Sequence, residues 1–299
     1  MPGDRGRYPT RDEAAAYLRA YADHFDLPVR THARVRSVRP NAPALYSVEL
    51  ADGGSLRARA VVAASGGFGR PHRPVLPGQE HYAGRLMHVS GYRRPDEFAG
   101  QRVVVVAAGN SAVQVAVELA GVADVTLATR SPLALRRHRP LGVDLHYWVR
   151  WSGLDRLPLG RRAASSVGVL DDGTYAEAVA AGRPERRPMF DSFTPDGVLW
   201  SDGTREQVDT VILATGYLPD LGYLPAAAFG DDGWPLHRRG ISSTLPGLGF
   251  VGLPGQTGIA SAMLRGVGPD ARHVVRRLRH HLASAPDPRA GQRLLAEAT

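Results

Sequence analysis

The chain has 299 residues, a net charge of +8 and no cysteine. That length accommodates one large domain or two ordinary ones with a sizeable core. The lack of cysteine excludes disulfides, thiolate metal sites and Cys-x-x-Cys redox centres, and the histidines show no His-Glu-x-x-His or comparable metal spacing.

All 37 basic residues are arginine. They are spread along the chain with no recognisable nucleic-acid module, so no nucleic-acid partner is expected. The planar guanidinium fork suits phosphate, and a phosphate-bearing cofactor is the economical reading. No apolar run approaches the roughly 20 residues of a spanning helix, and Met1 to Thr10 carry no signal-peptide core. A cytoplasmic chain without membrane contact is expected.

In chain order, Tyr8 to Glu13 open a helix, with Thr10 and Glu13 at capping-box spacing. Ala14, Tyr17, Leu18, Tyr21 and Phe25 then share one face. Strand patterns follow around Val29, at Val35 to Val38 and at Tyr46 to Leu50. Asp52-Gly53-Gly54 marks a hairpin, and a further strand from Leu56 to Ala63 runs into Ala64-Ser65-Gly66.

Residues 67–100 read as a Pro/Gly-rich connection. Val103 to Val106 form a buried strand leading into Ala107-Ala108-Gly109-Asn110-Ser111-Ala112 and an apolar helix. A second strand ends at Thr129-Arg130. Residues 131–200 read as irregular with short helices, including the basic loop Arg136, Arg137, His138 and Arg139. A hairpin is expected across Val198 to Leu213, leading into Ala214-Thr215-Gly216-Tyr217. A strand at Gly249 to Gly252 precedes a helix from Pro269 to about Leu282, with Pro269 at its first position. Ala271, Val274, Val275, Leu278 and Leu282 would form its buried stripe, and Ser284 to Gly291 a mobile linker.

The central unit carries the most chemistry. A strand feeding a tight turn and a helix presents free amides to a pyrophosphate. Gly109 holds the second glycine position of a dinucleotide fingerprint and Ala112 the third, while Ala107 replaces the first, where a Cβ is unwelcome. Asn110 and Ser111 lie in the same loop. About twenty residues on, an acid would serve an NAD ribose. Arg130 stands there instead and can pair with a 2′-phosphate, which favours NADP. The alternative is an ordinary buried strand–turn–helix. The turns Ser65-Gly66 and Thr215-Gly216 bracket this unit as strand exits. Tyr82-x-Gly84-x-x-x-His88-x-x-x-Tyr92, just upstream, is the most specific stretch.

On these motifs the chain resembles the flavin-containing monooxygenases. Their Phe-x-Gly-x-x-x-His fingerprint is matched by Tyr82, Gly84, His88 and Tyr92. Their NADPH loop is similar to 109–111, and their two Ala-Thr-Gly turns to 64–66 and 214–217. Phe250 to Gln256, with Gly252 and Gln256, resembles the family's return to the FAD domain.

The resemblance implies an α/β two-dinucleotide-binding-domain flavoprotein, with a Rossmann-like NADPH domain inserted in an incomplete FAD domain. The FAD domain would comprise 1–72 and 215–299, and the NADPH domain 73–214, with 131–200 as its irregular segment. Hydride would pass from NADPH to FAD, with oxygenation of a small organic substrate. No side chain is nominated as acid or nucleophile, because the cofactors carry such chemistry.

The sequence resembles the family from a point beyond its first strand–glycine loop–helix unit, which seats the FAD pyrophosphate. An open sheet edge and an uncovered core face are therefore expected, with an upstream segment or separate chain supplying that loop. The alternatives are a non-catalytic NADP-binding remnant or subunit that needs a partner, and an NADPH oxidase or flavin reductase that oxygenates nothing.

Overall fold

The computed structural model describes residues 9–42, 45–157 and 168–284. Helix α1 spans Arg11–His24, and its capping box forms as expected: Glu13 N–H donates to Thr10 Oγ1 (3.2 Å) and Thr10 N–H to Glu13 Oε2 (2.7 Å). Its apolar stripe stays open, with Leu18, Tyr21 and Phe25 about half exposed. Tyr8 and the linker beyond Ser284 lie outside the described residues.

Strands β1 (Val35–Ala42), β2 (Leu45–Leu50) and β3 (Ser55–Ala58) form an antiparallel meander. No strand forms at Val29, which is exposed in a coil. The strand expected from Leu56 to Ala63 is two. β4 (Val61–Ala63) leaves β2 and pairs with a C-terminal strand, because Val61 N–H turns to the Gly247 carbonyl.

The stretch 67–100 is more ordered than its composition suggests. It contains β5 (Arg70–Pro71) and β6 (Arg85–His88). β7 (Arg102–Val106), α2 (Asn110–Leu119) and β8 (Asp124–Thr129) make the central unit.

The region 131–200 also departs from the irregular reading. β9 (Leu135–Arg137), α3 (Leu145–Trp151), β10 (Val169–Asp171) and α4 (Thr174–Ala180) are followed by β11 (Glu185–Pro188), which adds to the β8 edge. β12 (Ser192–Thr194), β13 (Gly197–Leu199) and β14 (Arg205–Gln207) form a meander that holds the expected hairpin, and β15 (Thr210–Leu213) inserts between β7 and β6. β16 (Tyr217–Leu218), β17 (His237–Arg238), β18 (Ile241–Ser242), β19 (Leu248–Phe250) and α5 (Val267–Ser284) complete the chain. The last strand ends two residues short of Gly252, and Pro269 is the third residue of its helix rather than the first.

The main sheet is parallel, in the order β11-β8-β7-β15-β6. A sheet covered on both faces needs an apolar run rather than alternation, and the four valines of β7 supply it. Val103 and Val105 pack under α2 with Val113, Ala116 and Leu119. Val104 and Val106 face Phe190, Phe193 and Trp200 beside the meander.

A second sheet has the order β17-β18-β19-β4. Leu248 and Phe250 bury against Val38, Tyr46, Leu224 and Leu253. Here β4 pairs on one side only, and Val62 at this edge is 41 % exposed. The α5 stripe is narrower than expected: Val274 and Leu278 are buried, but Val275 is 49 % exposed because no described element covers that flank. The open edge and uncovered face expected from the sequence are thus present among the described residues. None of the described helices is long and apolar enough to cross a membrane.

Candidate functional site

The two chain crossings between the sheets lie side by side. β5 pairs with β16, so that Pro71 faces Tyr217. His72 N–H donates to the Gly216 carbonyl (2.9 Å) and Thr215 Oγ1 to the His72 carbonyl (2.5 Å). Ser65 and Gly66 close the first crossing. Ser65 Oγ lies 3.3 Å from the Tyr223 hydroxyl, and the backbones of Gly66 and Gly252 approach closely. Both sequence turns are therefore structural neighbours, though about 150 residues apart.

Above them sits the loop after β7. Ala107 has φ 135°, a conformation costly for a residue with a Cβ. Its N–H continues the ladder to the Ala128 carbonyl (3.1 Å), which holds it there. Gly109 is the N-cap of α2 with no side-chain cap, and a Cβ added there would meet nothing within 4 Å. The first-turn amides of α2 therefore have room for an anion. Asn110 is partly committed: its Oδ1 accepts from Leu170 N–H (3.3 Å), tying the loop to β10. Ala112 is fully buried under the sheet, where a larger residue would force α2 away.

Two cavities flank this loop. The smaller, about 300 Å³, is lined by Ala107, Ala108, Arg130, Ser131 and Thr215 among others. Arg130 thus stands beside the turn. The larger is a cleft of about 930 Å³, lined by Gly109, Asn110, Ser111, Gly216, Tyr217 and Phe68, and by His138, His146, Asp172 and Tyr175 from the region after β8. The sequence reading missed these last four, since nothing in local pattern says which loop returns over the cleft.

The fingerprint residues line neither cavity; they brace the β6 edge. The Tyr82 hydroxyl donates to the Val208 carbonyl (2.9 Å), and its ring packs on Phe193. A Cβ at Gly84 would collide with the Tyr82 ring, so the glycine lets the tyrosine fold over the strand. Burial, reinforced by Asp209 and opposed by Arg102, pushes the Tyr82 hydroxyl up to about 12. Tyr92 stacks on Phe98.

His88 is fully buried. Its Nδ1 accepts from Ser90 N–H (3.1 Å) and its Nε2–H donates to the Gly216 carbonyl (3.0 Å). Burial lowers its pKa, against the raising effect of the Gly216 bond, and Arg73 and His72 lower it further. The ring is therefore neutral and pins the second crossing to the parallel sheet. Gln256 has a similar internal role: it is buried, with Nε2 donating to the Phe250 carbonyl (2.8 Å) and Oε1 accepting from Leu253 N–H (3.4 Å). It shapes the turn around Gly252.

A third hollow, about 650 Å³, follows the free edge of β4 and is lined by Val61, Val62, Ser65, Gly69, Asp220 and Tyr223, with Arg34 and Arg36 at its rim. No second strand–glycine loop–helix unit accompanies it among the described residues. No cluster of histidine and acidic residues fit for a metal occurs among them either.

Two parallel strands joined through a helix whose N-terminus opens on a cleft, with paired chain crossings below, define a dinucleotide-binding oxidoreductase architecture. The profile described as pyridine nucleotide-disulphide oxidoreductase matches residues 4–252, and the chain belongs to that family. Within it the chain is flavin monooxygenase-like; having no cysteine, it cannot use a redox disulphide. It is 30% identical over 288 residues to an uncharacterized oxidoreductase CzcO-like of Geobacillus kaustophilus, covering 94% of this chain and 81% of the relative. An indole-3-pyruvate monooxygenase YUCCA1 of Oryza sativa subsp. japonica is 30% identical over 250 residues, covering 73% and 61%. A flavin-containing monooxygenase from Stenotrophomonas maltophilia superposes with a TM-score of 0.80 at 30% identity, over 94% of this chain and 80% of that one. An open cyclohexanone monooxygenase structure shares the fold at 19% identity and a TM-score of 0.62.

Proposed function

We propose that the chain is an FAD- and NADPH-dependent oxidoreductase of the monooxygenase class, acting on a small organic molecule in the 930 Å³ cleft. The observation that carries this reading is the β7–α2 loop, with open space at Gly109 and Arg130 beside its turn. The loop amides and Ser111 would hold the NADPH pyrophosphate, and Arg130 the 2′-phosphate. Residues 73–214 would form the NADPH domain, and 1–72 with 215–299 the FAD domain. When bound, the two cofactors supply hydride transfer and oxygen activation. The protein's part is to seat them: His88 fixes Gly216 at the crossing, and Tyr217 and Phe68, packed edge to face, wall the cleft.

The FAD side is less complete. Ser65-Gly66 and the hollow along β4 suit a ligand lying across the strand end, but no pyrophosphate loop stands beside them among the described residues. The free β4 edge favours a second reading, in which the chain is an NADP-binding subunit that acts once an upstream segment or separate chain adds to that edge.

The test starts with binding of NADPH and NADH to the purified chain, followed by flavin absorbance after FAD is added. NADPH-selective binding, anaerobic bleaching of the flavin, and transfer of one ¹⁸O atom from ¹⁸O₂ to an amine, sulfide or ketone probe are expected. NADPH consumption without labelled product would make the chain an oxidase or flavin reductase. Failure to retain FAD would favour the subunit reading, and equal binding of both nucleotides would overturn the assignment of Arg130.

A further inference from the structure

The wall of the large cleft carries two histidines, joined through Asp144, that the cofactors do not explain. Asp144 accepts from His138 Nε2 (3.1 Å) on one oxygen and from His146 Nδ1 (3.0 Å) on the other. The second oxygen also accepts from His146 N–H (2.7 Å). All three side chains are partly shielded: His138 is 16% exposed, Asp144 35% and His146 34%.

Both histidines line the cleft. The segment is pinned from both sides. His138 N–H donates to the Asp171 carbonyl (2.7 Å). Arg265, which also faces Asp155 at 3.9 Å, donates to the His146 carbonyl (3.2 Å). An imidazole held by a carboxylate at Nδ1 keeps its proton there and presents an Nε2 lone pair.

We infer that Asp144 and His146 form a proton-accepting dyad of the cleft, which receives an N–H of the bound molecule. The inference rests on the cleft being the substrate site. For a protonated nitrogen, the N–H bond breaks toward His146 Nε2 and its electron pair stays on the nitrogen. The imidazolium that results is stabilised by Asp144. The nitrogen is left as a neutral nucleophile, and the proton leaves later through the exposed edge of the ring.

The charged and titratable groups around His146 are Asp144 and His138 on its own segment, Arg150 one turn on, Asp172 and Tyr175 lining the same cleft, and Arg265 with Asp155 behind it. Asp172 on the cleft wall, with Asp144 bonded to both lining histidines, favours a cation over an anion there.

The test uses the whole chain and no turnover, so its outcome is independent of the flavin chemistry. Calorimetry compares n-octylammonium with octyltrimethylammonium, which has no proton to give, and ¹⁵N NMR reads the His146 tautomer. The expected results are an Nδ1-protonated ring and n-octylammonium bound about tenfold tighter than its methylated analogue, the worth of one charge-assisted hydrogen bond. Asp144→Asn should invert the tautomer and erase the preference. Because Asp144 also caps α3, His146→Gln provides a second arm: it should keep the fold and lose the preference. An Nε2-protonated ring, or an unchanged preference in a folded His146→Gln protein, would overturn the dyad. Loss of NADPH affinity in that variant with amine binding intact would assign the histidine to the dinucleotide instead.

Discussion

Ala107 shows how a single Cβ can tune a site. The loop needs a positive φ there, and alanine accepts it only because the sheet ladder and α2 fix both sides. Such strain costs about 1–3 kcal/mol, while glycine gives back about 0.4–1 kcal/mol through the unfolded chain. Ala107→Gly is therefore expected to stabilise the protein by about 1 kcal/mol, a rise of about 2 °C in Tm, with NADPH binding preserved or tightened. Thermal denaturation and a nucleotide titration check both. At Arg130 the prediction concerns selectivity. Arg130→Ala should weaken NADPH about 10–100-fold, the loss of a charge-assisted pair, and leave NADH nearly unchanged; equal losses in a binding titration would remove the arginine from phosphate recognition. Both residues were legible in the sequence, because fingerprint spacing is set by local backbone geometry. For Gln256 the sequence showed only a motif position; the folded turn shows its amide bonded to Phe250 and Leu253.

Among the elements, α4 depends on one buried carboxylate. Asp171 Oδ1 accepts from Gly173 N–H (3.0 Å) and Tyr175 N–H (2.9 Å), and Oδ2 from Ala176 N–H (3.0 Å). These bonds satisfy the orphan amides of the first turn. Asp171→Ala should cost about 3 kcal/mol, read as a lower urea midpoint, and should loosen the Tyr175 side of the cleft. The valine run of β7, the capping box of α1 and the hairpin turns were readable because each is local. β6, β10 and β11 were not: they are short, and they become strands only by pairing with neighbours distant in sequence, as His88 of β6 does with Leu213.

At the scale of the whole molecule, three histidines are held neutral by the fold. Burial is the first cause of the lowered pKa at His88, His237 and His273. The unfolded chain therefore binds more protons once the pH falls past the ordinary histidine value of about 6.5. Stability is fully present above that value and is lost as the pH falls through the folded pKa values. Urea unfolding at neutral and mildly acidic pH should show this loss, and His88→Gln should reduce it. The same experiment probes the crossing, since protonating His88 Nδ1 abolishes its bond from Ser90 N–H.

The sequence alone determined the class of the protein. Ala112 and the turns around it are constrained by close packing, which leaves marks at short range. Only the tertiary structure decided what the fingerprint residues do and what faces the cleft. His88 meets Gly216 across 128 residues, and the His138–Asp144–His146 cluster comes to the cleft on a segment whose composition reads as loop. Side chains brought together by sheet pairing and chain crossings carry no local periodicity, so their partnership exists only once the strands have found one another.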